Sequence, residues 1–182
     1  MKFSYSWLAT YVDLPALFSV KGETEATSPA AEELAKQLTS IGLSVEGIEL
    51  TGAGTEAEDA VVDVEVTSNR PDCMNHLGLA REIAVKRGTT LRQPVFSFTE
   101  SLSPGGPRAS VKIDDPESCP RFVARVIRGV QIGPSPEWLV RRLEAIGSRS
   151  INNVVDATNF CLWECGQPMH VYYLAAVPGG EI

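Results

Sequence analysis

Metal-binding and cross-linking residues are scarce in this sequence. Its 182 residues include four cysteines and two histidines, and no two cysteines form a CxxC pair. This scarcity argues against a zinc site and against a framework of disulfides. It favours reduced thiols, as in the cytoplasm, and we therefore expect a cytoplasmic protein.

Long apolar runs are also missing. No stretch reaches the roughly 20 residues that a membrane-spanning helix needs. The N-terminal MKFSYSWLATYVDL has neither a continuous apolar core nor a small-residue cleavage site. The sequence therefore predicts no signal peptide and no membrane partner.

Positive charge is in the minority. The 16 Lys and Arg are outnumbered by 23 Asp and Glu, so the net charge is −7. An acidic chain has no overall attraction for nucleic acid, and an RNA contact would need a local basic patch or a partner. The densest basic cluster is Arg141, Arg142 and Arg149, which is more typical of the solvated face of a helix.

The remaining composition is typical of a globular protein. Hydrophobic residues make up 43% and charged residues 21%, which argues against disorder. The length suits one ordinary domain or two small ones.

The first part of the chain predicts helices and strands together. Ser28 as N-cap, Pro29 at the first helical position and Gly42 as stop indicate a helix over 28–42. The alternating LSVEGIEL and AVVDVEVT are typical of strands, the second with one wet face. A short helical start is expected around Trp7.

A second helix, a linker and a second unit follow. SNRPDCMNHLGLAREIAVKRG predicts a helix capped by Asp72. Residues 96–108, rich in Ser, Pro and Gly, are predicted to be a linker. RFVARVIRGVQI predicts a strand, and PSPEWLVRRLEAIG a helix with Ser135 as cap. The final VPGGEI looks like the entry to another strand, so we expect a fragment whose second unit lacks part of its sheet.

The most informative stretch is SINNVVDATNFCLWECGQPMH, residues 150–170. It mixes large apolar residues with hydrogen-bonding ones, as the wall of a ligand pocket does. A simpler explanation exists for Asn152, Asn153 and Asp156, which can satisfy the backbone of a loop. Cys161 and Cys165, one helical turn apart, are expected to pack.

Three long pieces carry a family resemblance. They are TSNRPDCMNHLGLAREIA, CPRFVARVIRGVQIGPSPEWLVRRLEAIGSRSINNVVDATNF and GQPMH, in this order. Together with the opening MKFSYSWL they resemble the beta subunit of bacterial phenylalanyl-tRNA synthetases over most of the chain. The resemblance implies an α+β fold: an N-terminal α/β domain at 1–95, the linker, and the first part of a mixed α/β B3/B4-like editing domain at 109–182.

The sequence departs from that family in two places. Most bacterial relatives carry an OB-fold tRNA-binding domain inside the N-terminal domain, for which GIELTGAGTEAEDAVVDVEV leaves no room. The family usually has an aspartate in an HAFD-like sequence after GQP, whereas this chain has His170, Val171, Tyr172 and Tyr173. The first departure puts tRNA anchoring in doubt, and the second puts the activity of the editing pocket in doubt.

The resemblance also implies a chemistry. An apolar pocket for phenylalanine cannot strongly reject tyrosine, so tyrosyl-tRNA(Phe) is made and must be hydrolysed at a second site. By match to the family motif, Arg149, Thr158, Asn159 and His170 line that editing pocket. His170 would orient the attacking water or act as a base, and the alternative for it is a satisfied structural histidine.

Partners and cofactors are implied in the same way. The family pairs this subunit with an alpha subunit in an α2β2 heterotetramer that binds tRNA(Phe), and the alpha subunit uses ATP and magnesium. No cofactor and no metal are expected in this chain itself. Two other functions stay open: a non-catalytic assembly and tRNA-contact scaffold with an inactive editing fold, and a free-standing editing or protein-binding domain.

Overall fold

The computed structural model describes residues 1–17, 28–52, 58–99 and 109–182. Most of the predicted linker 96–108 lies outside the described residues, as do residues 18–27 and 53–57. The helices and strands within these ranges are β1 Lys2–Ser4, α1 Tyr5–Leu8, α2 Pro29–Ser40, β2 Val45–Thr51, β3 Asp59–Val64, α3 His76–Arg87, α4 Glu137–Ala145 and α5 Asn153–Cys165.

A three-stranded antiparallel sheet with strand order β1-β3-β2 forms the base of the first unit. Val62 of the central strand is paired with Phe3 on one side and Ile48 on the other. The sequence predicts one wet face for β3, with Asp63 and Glu65 on it. Asp63 is half-buried and Glu65 is exposed, so this prediction is confirmed.

Helices α1, α2 and α3 pack with the sheet around one apolar core. As predicted, Ser28 caps α2 by accepting from the backbone N–H of Ala31. The predicted cap of α3 is wrong: Asn75, not Asp72, accepts from the N–H of Gly78. The chain between these residues forms a short 3-10 helix, Pro71–Cys73, which moves the start of α3 three residues along.

The second unit consists of helices α4 and α5 and long irregular segments. The strand predicted at RFVARVIRGVQI is wrong, because residues 121–132 contain no strand. Its alternating pattern is present, but no described strand lies beside it to accept its backbone hydrogen bonds. The predicted strand entry at Glu181 is limited to one parallel bridge, with Ser110.

The two units contact each other through α5. Helix α5 touches α3 and α4, and Phe160 and Trp163 pack against the core of the first unit. Ile146, at the end of α4, is part of that core. None of the helices in the described ranges has the length and apolar character needed to span a membrane.

Candidate functional site

Helix α5 carries most of the informative stretch, and its ends are set by local chemistry. The Asn152 side chain accepts from the backbone N–H groups of Val154 and Val155, which lack partners within the helix. Gly166 ends the helix with φ +76, a left-handed conformation that glycine adopts without strain. Residues 153–165 therefore form a helix although Val154, Val155 and Thr158 are weak helix formers.

The buried carboxylate of Asp156 ties the start of α5 to the segments before and after α4. It accepts hydrogen bonds from the hydroxyls of Ser135 and Ser150 and from the backbone N–H of Ile151, the last at 2.9 Å. Burial opposes its ionisation, but these hydrogen bonds hold the pKa of Asp156 below its usual value. The predicted cap Ser135 thus binds Asp156, and Pro136 takes the N-cap position of α4.

Asn153 fixes a second segment to the same helix end. Its side chain donates to the carbonyl of Gln131 at 2.9 Å and accepts from the N–H of Gly133 at 3.2 Å. The prediction that Asn152, Asn153 and Asp156 satisfy backbone groups is therefore confirmed.

One face of α5 points toward the first unit. Phe160 stacks on Trp7, with ring centroids 4.7 Å apart and planes at 11°. Glu164 accepts a hydrogen bond from the hydroxyl of Tyr11. Burial and the nearby Glu164 carboxylate raise the pKa of Tyr11 to about 12, so this hydroxyl keeps its proton at neutral pH.

The opposite face of α5 is partly exposed to solvent. Successive residues of a helix are about 100° apart, so Thr158 lies nearly opposite Asp156 and Phe160. Thr158 is half-buried, and its hydroxyl donates to the carbonyl of Val155 at 2.7 Å. That bond leaves the lone pairs of the hydroxyl oxygen able to accept. Leu162 and Cys165 follow on this face, and both are exposed.

The other predicted pocket residues lie on the flank of α5 and beyond its two ends. Asn159 is half-buried on the flank of α5, Arg149 is exposed before the helix, and His170 is exposed after it. Within the described part of the chain, no hydrogen bond or ion pair joins these three side chains. Their grouping into one pocket with Thr158 stays a prediction.

One group of metal-ligating atom types occurs in the described residues: Asp72, Cys73 and Glu82. The guanidinium of Arg70 fills it, with 3.0 Å to the Asp72 carboxylate, 3.1 Å to Glu82 and 3.0 Å to the Cys73 sulfur. Its hydrogen bonds lower the pKa of Asp72 to about 2, and burial raises the pKa of Cys73 to about 11. Arg70 thus bridges the two carboxylates, and its positive charge lies where a metal ion would otherwise sit.

Sequence reasoning gave no role to the residues that join the units. They are Trp7, Tyr11, His76 and Arg142. A signal existed for one of them, because His76 is one of only two histidines and is followed directly by Leu77 of the predicted apolar helix face. The residues that contact His76 are remote in sequence, so the sequence pattern alone does not predict these contacts.

Comparison with known proteins adds a family to this geometry. A family model described as the B3/4 domain matches residues 118–182, which include α4 and α5. The chain is 43% identical, over all 182 residues, to a phenylalanine–tRNA ligase beta subunit of Rhodopirellula baltica. It is 50% identical over 125 residues, 69% of its length, to the protein of the same name from Geobacter metallireducens.

The chain aligns with only a small part of each of these relatives. The aligned part is 24% of the Rhodopirellula protein and 16% of the Geobacter protein. A third relative of the same name, from Anaeromyxobacter dehalogenans, is 47% identical over 131 residues and is covered to 16%. The chain thus spans no more than 24% of the length of these curated relatives.

Proposed function

Because the chain belongs to the phenylalanine–tRNA ligase beta-subunit family, we propose that it is part of the beta subunit of such a ligase. In this role it supports aminoacylation of tRNA(Phe) by a complex of alpha and beta subunits. The support for the proposal is the 43% identity along the whole chain. The proposed partners are the alpha subunit, in an α2β2 assembly, and tRNA(Phe), and the proposed compartment is the cytoplasm.

Residues 118–182 are proposed to contribute to hydrolytic editing of tyrosyl-tRNA(Phe). A synthetic site built for phenylalanine discriminates weakly against an isostere with one extra hydroxyl. An editing site solves this by hydrogen-bonding that hydroxyl, since phenylalanine would then leave buried polar groups unpaired. Such a site needs apolar walls and a few fixed polar groups.

The observation that carries this proposal is the outer face of α5. It lies within the segment matched by the B3/4 model and combines Thr158 and Asn159 with the apolar Leu162. The helix that bears them is held at its start by the Asp156 network and on its inner face by the aromatic contact with Trp7. A fixed helix is a suitable support for groups that must hold a substrate within a fraction of an ångström.

Each predicted residue then has a role. Thr158 and Asn159 hydrogen-bond the aminoacyl ester or a water molecule. Arg149 holds a phosphate or ribose oxygen near the tRNA end, for which a guanidinium is well suited. The imidazole of His170 orients the attacking water or takes its proton.

ATP and magnesium are assigned to the alpha subunit. Among the described residues, the metal-ligating atom types that lie close together surround Arg70. A bound guanidinium and a divalent cation exclude each other at one place, because both are positive. The first unit is proposed to serve assembly and positioning, with the ATP-dependent step on the partner.

The test is deacylation of tyrosyl-tRNA(Phe) by the complete beta subunit in complex with its alpha subunit. The wild-type complex is expected to hydrolyse it well above the background rate. His170→Ala is expected to slow the hydrolysis roughly a hundredfold, which is within the range for loss of a general base. Aminoacylation by the same preparation is expected to be unchanged.

Val171→Ala is the matched control. It truncates the exposed neighbour of His170 and leaves the imidazole in place. Equal rates for wild type and His170→Ala would remove His170 from the mechanism. Equal losses in His170→Ala and Val171→Ala would point to the shape of the segment and not to the imidazole.

A second candidate function is an assembly scaffold with an inactive editing fold. Two observations favour it. Strands β2 and β3 are paired up to Thr51 and Asp59, and residues 52–58 between them are too few for an inserted domain. Tyr173 stands where the resemblance places an aspartate. This function predicts normal aminoacylation by the complete complex and no deacylation above background.

A further inference from the structure

His76 connects the two units through both of its ring nitrogens. Its Nε2 accepts from the backbone N–H of Ser4 at 3.3 Å, and its Nδ1 lies 2.8 Å from the carbonyl oxygen of Trp163. A carbonyl oxygen only accepts, so Nδ1 must carry the proton. The ring is therefore neutral and fixed in one tautomer. Burial and the charge of Arg142 lower the pKa of His76 to about 3, in agreement with this state.

The ring of His76 is also the first layer of an aromatic stack. It lies against Trp7, with centroids 3.9 Å apart and planes at 21°. Trp7 stacks in turn on Phe160 of α5. The guanidinium of Arg142 lies 5.5 Å from the centre of the Trp7 ring and 5.9 Å from that of Phe160, at cation–π distance from both.

The carbonyl that His76 binds belongs to the last turn of α5. Carbonyls of a last turn have no partner within their own helix. Directly after it, Gly166 passes so close to the Asn75 side chain that a Cβ on Gly166 would lie 2.9 Å from Asn75 Nδ2. The C-terminal end of α5 is thus held on the N-terminal end of α3 by the consecutive residues Asn75 and His76.

We propose that His76 is a positioning residue for the editing reaction. Through its bond to Trp163 and its stack on Trp7, it sets the rotation of α5 about the helix axis and its position along that axis. These two coordinates decide where Thr158 and Asn159 meet a substrate. The N-terminal unit then acts on editing without touching the substrate. This inference rests on the proposed editing function, because it assigns His76 to the same site.

The reason for a large effect is geometric. Without the bond from His76, the C-terminal part of α5 keeps only its packing on Trp7 and the hydrogen bond from Tyr11, so this end of the helix can tilt more. Thr158 and Asn159 lie in the middle of α5, so a tilt displaces them by a fraction of the shift at Trp163. Displacements of about 1 Å at a reacting group cost up to roughly a hundredfold in rate.

The first experiment compares His76→Leu with His76→Asn in the complete alpha–beta complex. Leucine has no donor for Trp163. Asparagine places an N–H near the former position of Nδ1 and restores that bond. We expect deacylation of tyrosyl-tRNA(Phe) to fall roughly tenfold or more in His76→Leu and to recover in part in His76→Asn. The KM for aminoacylation and its kcat are expected to stay unchanged.

A second variant covers the case in which the His76 variants fail to fold. Tyr11→Phe removes one hydroxyl and with it the bond to Glu164 on α5. It is expected to lower deacylation severalfold and to speed amide hydrogen exchange in residues 153–165. The matched control is Leu38→Val, which loosens the same core from α2 and leaves the contacts of α5 in place.

The outcomes separate the two proposals. If wild type does not hydrolyse tyrosyl-tRNA(Phe), the editing function fails, and amide exchange of α5 alone decides whether His76 fixes the helix. If wild type is active but His76→Leu and Tyr11→Phe match it in deacylation, the positioning role is overturned. The role is also overturned if Leu38→Val reproduces the loss of deacylation, or if exchange rises in the first unit and not in α5.

Discussion

At the scale of single residues, Gly78 is the tightest of the glycines compared in the described part of the chain. It lies in the first turn of α3, where the helix passes the 3-10 helix Pro71–Cys73. A Cβ built on Gly78 would lie 1.7 Å from the backbone carbonyl oxygen of Asp72. This short distance explains why glycine, a residue with poor helix propensity, occupies this position in a helix.

Gly78→Ala is therefore expected to destabilise the fold. The added methyl group must move backbone, and overpacking of this kind costs about 1–3 kcal/mol or more. The measurement is the free energy of unfolding in urea. Gly133→Ala is the control, since a Cβ there meets nothing within 4 Å, and it should stay close to wild type. Equal values for both variants would contradict the close approach at Gly78.

His76 gives a second prediction at the residue scale, in the pH dependence of stability. The unfolded chain takes up this proton near pH 6.5, and the folded chain only near pH 3. The free energy of unfolding therefore falls as the pH drops through this window, by about 1.4 kcal/mol per pH unit for one proton. Arg142 of α4 is the charged group that acts on the His76 ring. The groups that contact this ring from β1, α1 and α5 are uncharged.

His76→Leu tests this prediction because leucine does not titrate. At pH 7 the variant is expected to be less stable than wild type, since the N–H of Ser4 and the carbonyl of Trp163 lose their partner. Between pH 6.5 and 4.5 the difference in free energy of unfolding between the two proteins should narrow by about 2 kcal/mol. The reason is that only in wild type does the unfolded chain gain stability by protonation of His76. A difference that stays constant with pH would show that His76 titrates normally.

At the scale of helices and strands, the success of sequence reasoning depended on whether the signals were local. Helix α2 was predicted because its cap Ser28 and its stop Gly42 lie within fifteen residues of each other in the sequence. Strands β2 and β3 were predicted because both segments alternate, whereas their pairing is a finding of the structure. Residues 121–132 alternate as well, but a strand also needs a neighbour, which the pattern of one segment does not supply.

The candidate site shows the same division. The backbone roles of Asn152 and Asn153 were predicted from their residue types. The burial of Asp156 and the docking of Phe160 on Trp7 were not, since the partners lie in the segments before and after α4 and in α1. Arg142 was predicted to be on a solvated helix face, but it lies half-buried over aromatic rings, while its neighbour Arg141 is exposed and pairs with Glu137.

The N-cap of α5 gives a prediction at this scale. Asn152→Ala removes the acceptor for two backbone N–H groups and is expected to cost about 1 kcal/mol. Amide exchange should rise in the first turn, residues 153–156, ahead of the rest of the helix. Asn152→Asp retains the acceptor and serves as the control. Unchanged exchange in Asn152→Ala would mean that Asp156 alone fixes this end.

At the scale of the whole molecule, two units share one core. The second unit contributes Phe160, Trp163 and Ile146, which pack against the first unit. The first unit contributes His76 and Tyr11, which hydrogen-bond to α5. The inner face of α5 is used for this contact, and the outer face carries Thr158 and Asn159. The molecule thus has a helix whose docking side and proposed substrate side are separate.

The central claim is that this helix helps to form a site that distinguishes tyrosine from phenylalanine on tRNA(Phe). The most direct measurement is single-turnover deacylation of tyrosyl-tRNA(Phe) and phenylalanyl-tRNA(Phe), side by side, by the complete alpha–beta complex. We predict hydrolysis of the tyrosyl ester roughly a hundredfold or more faster, and loss of this preference in the double variant Thr158→Val with Asn159→Ala. Equal rates for the two esters, or a preference that survives in the double variant, would contradict it.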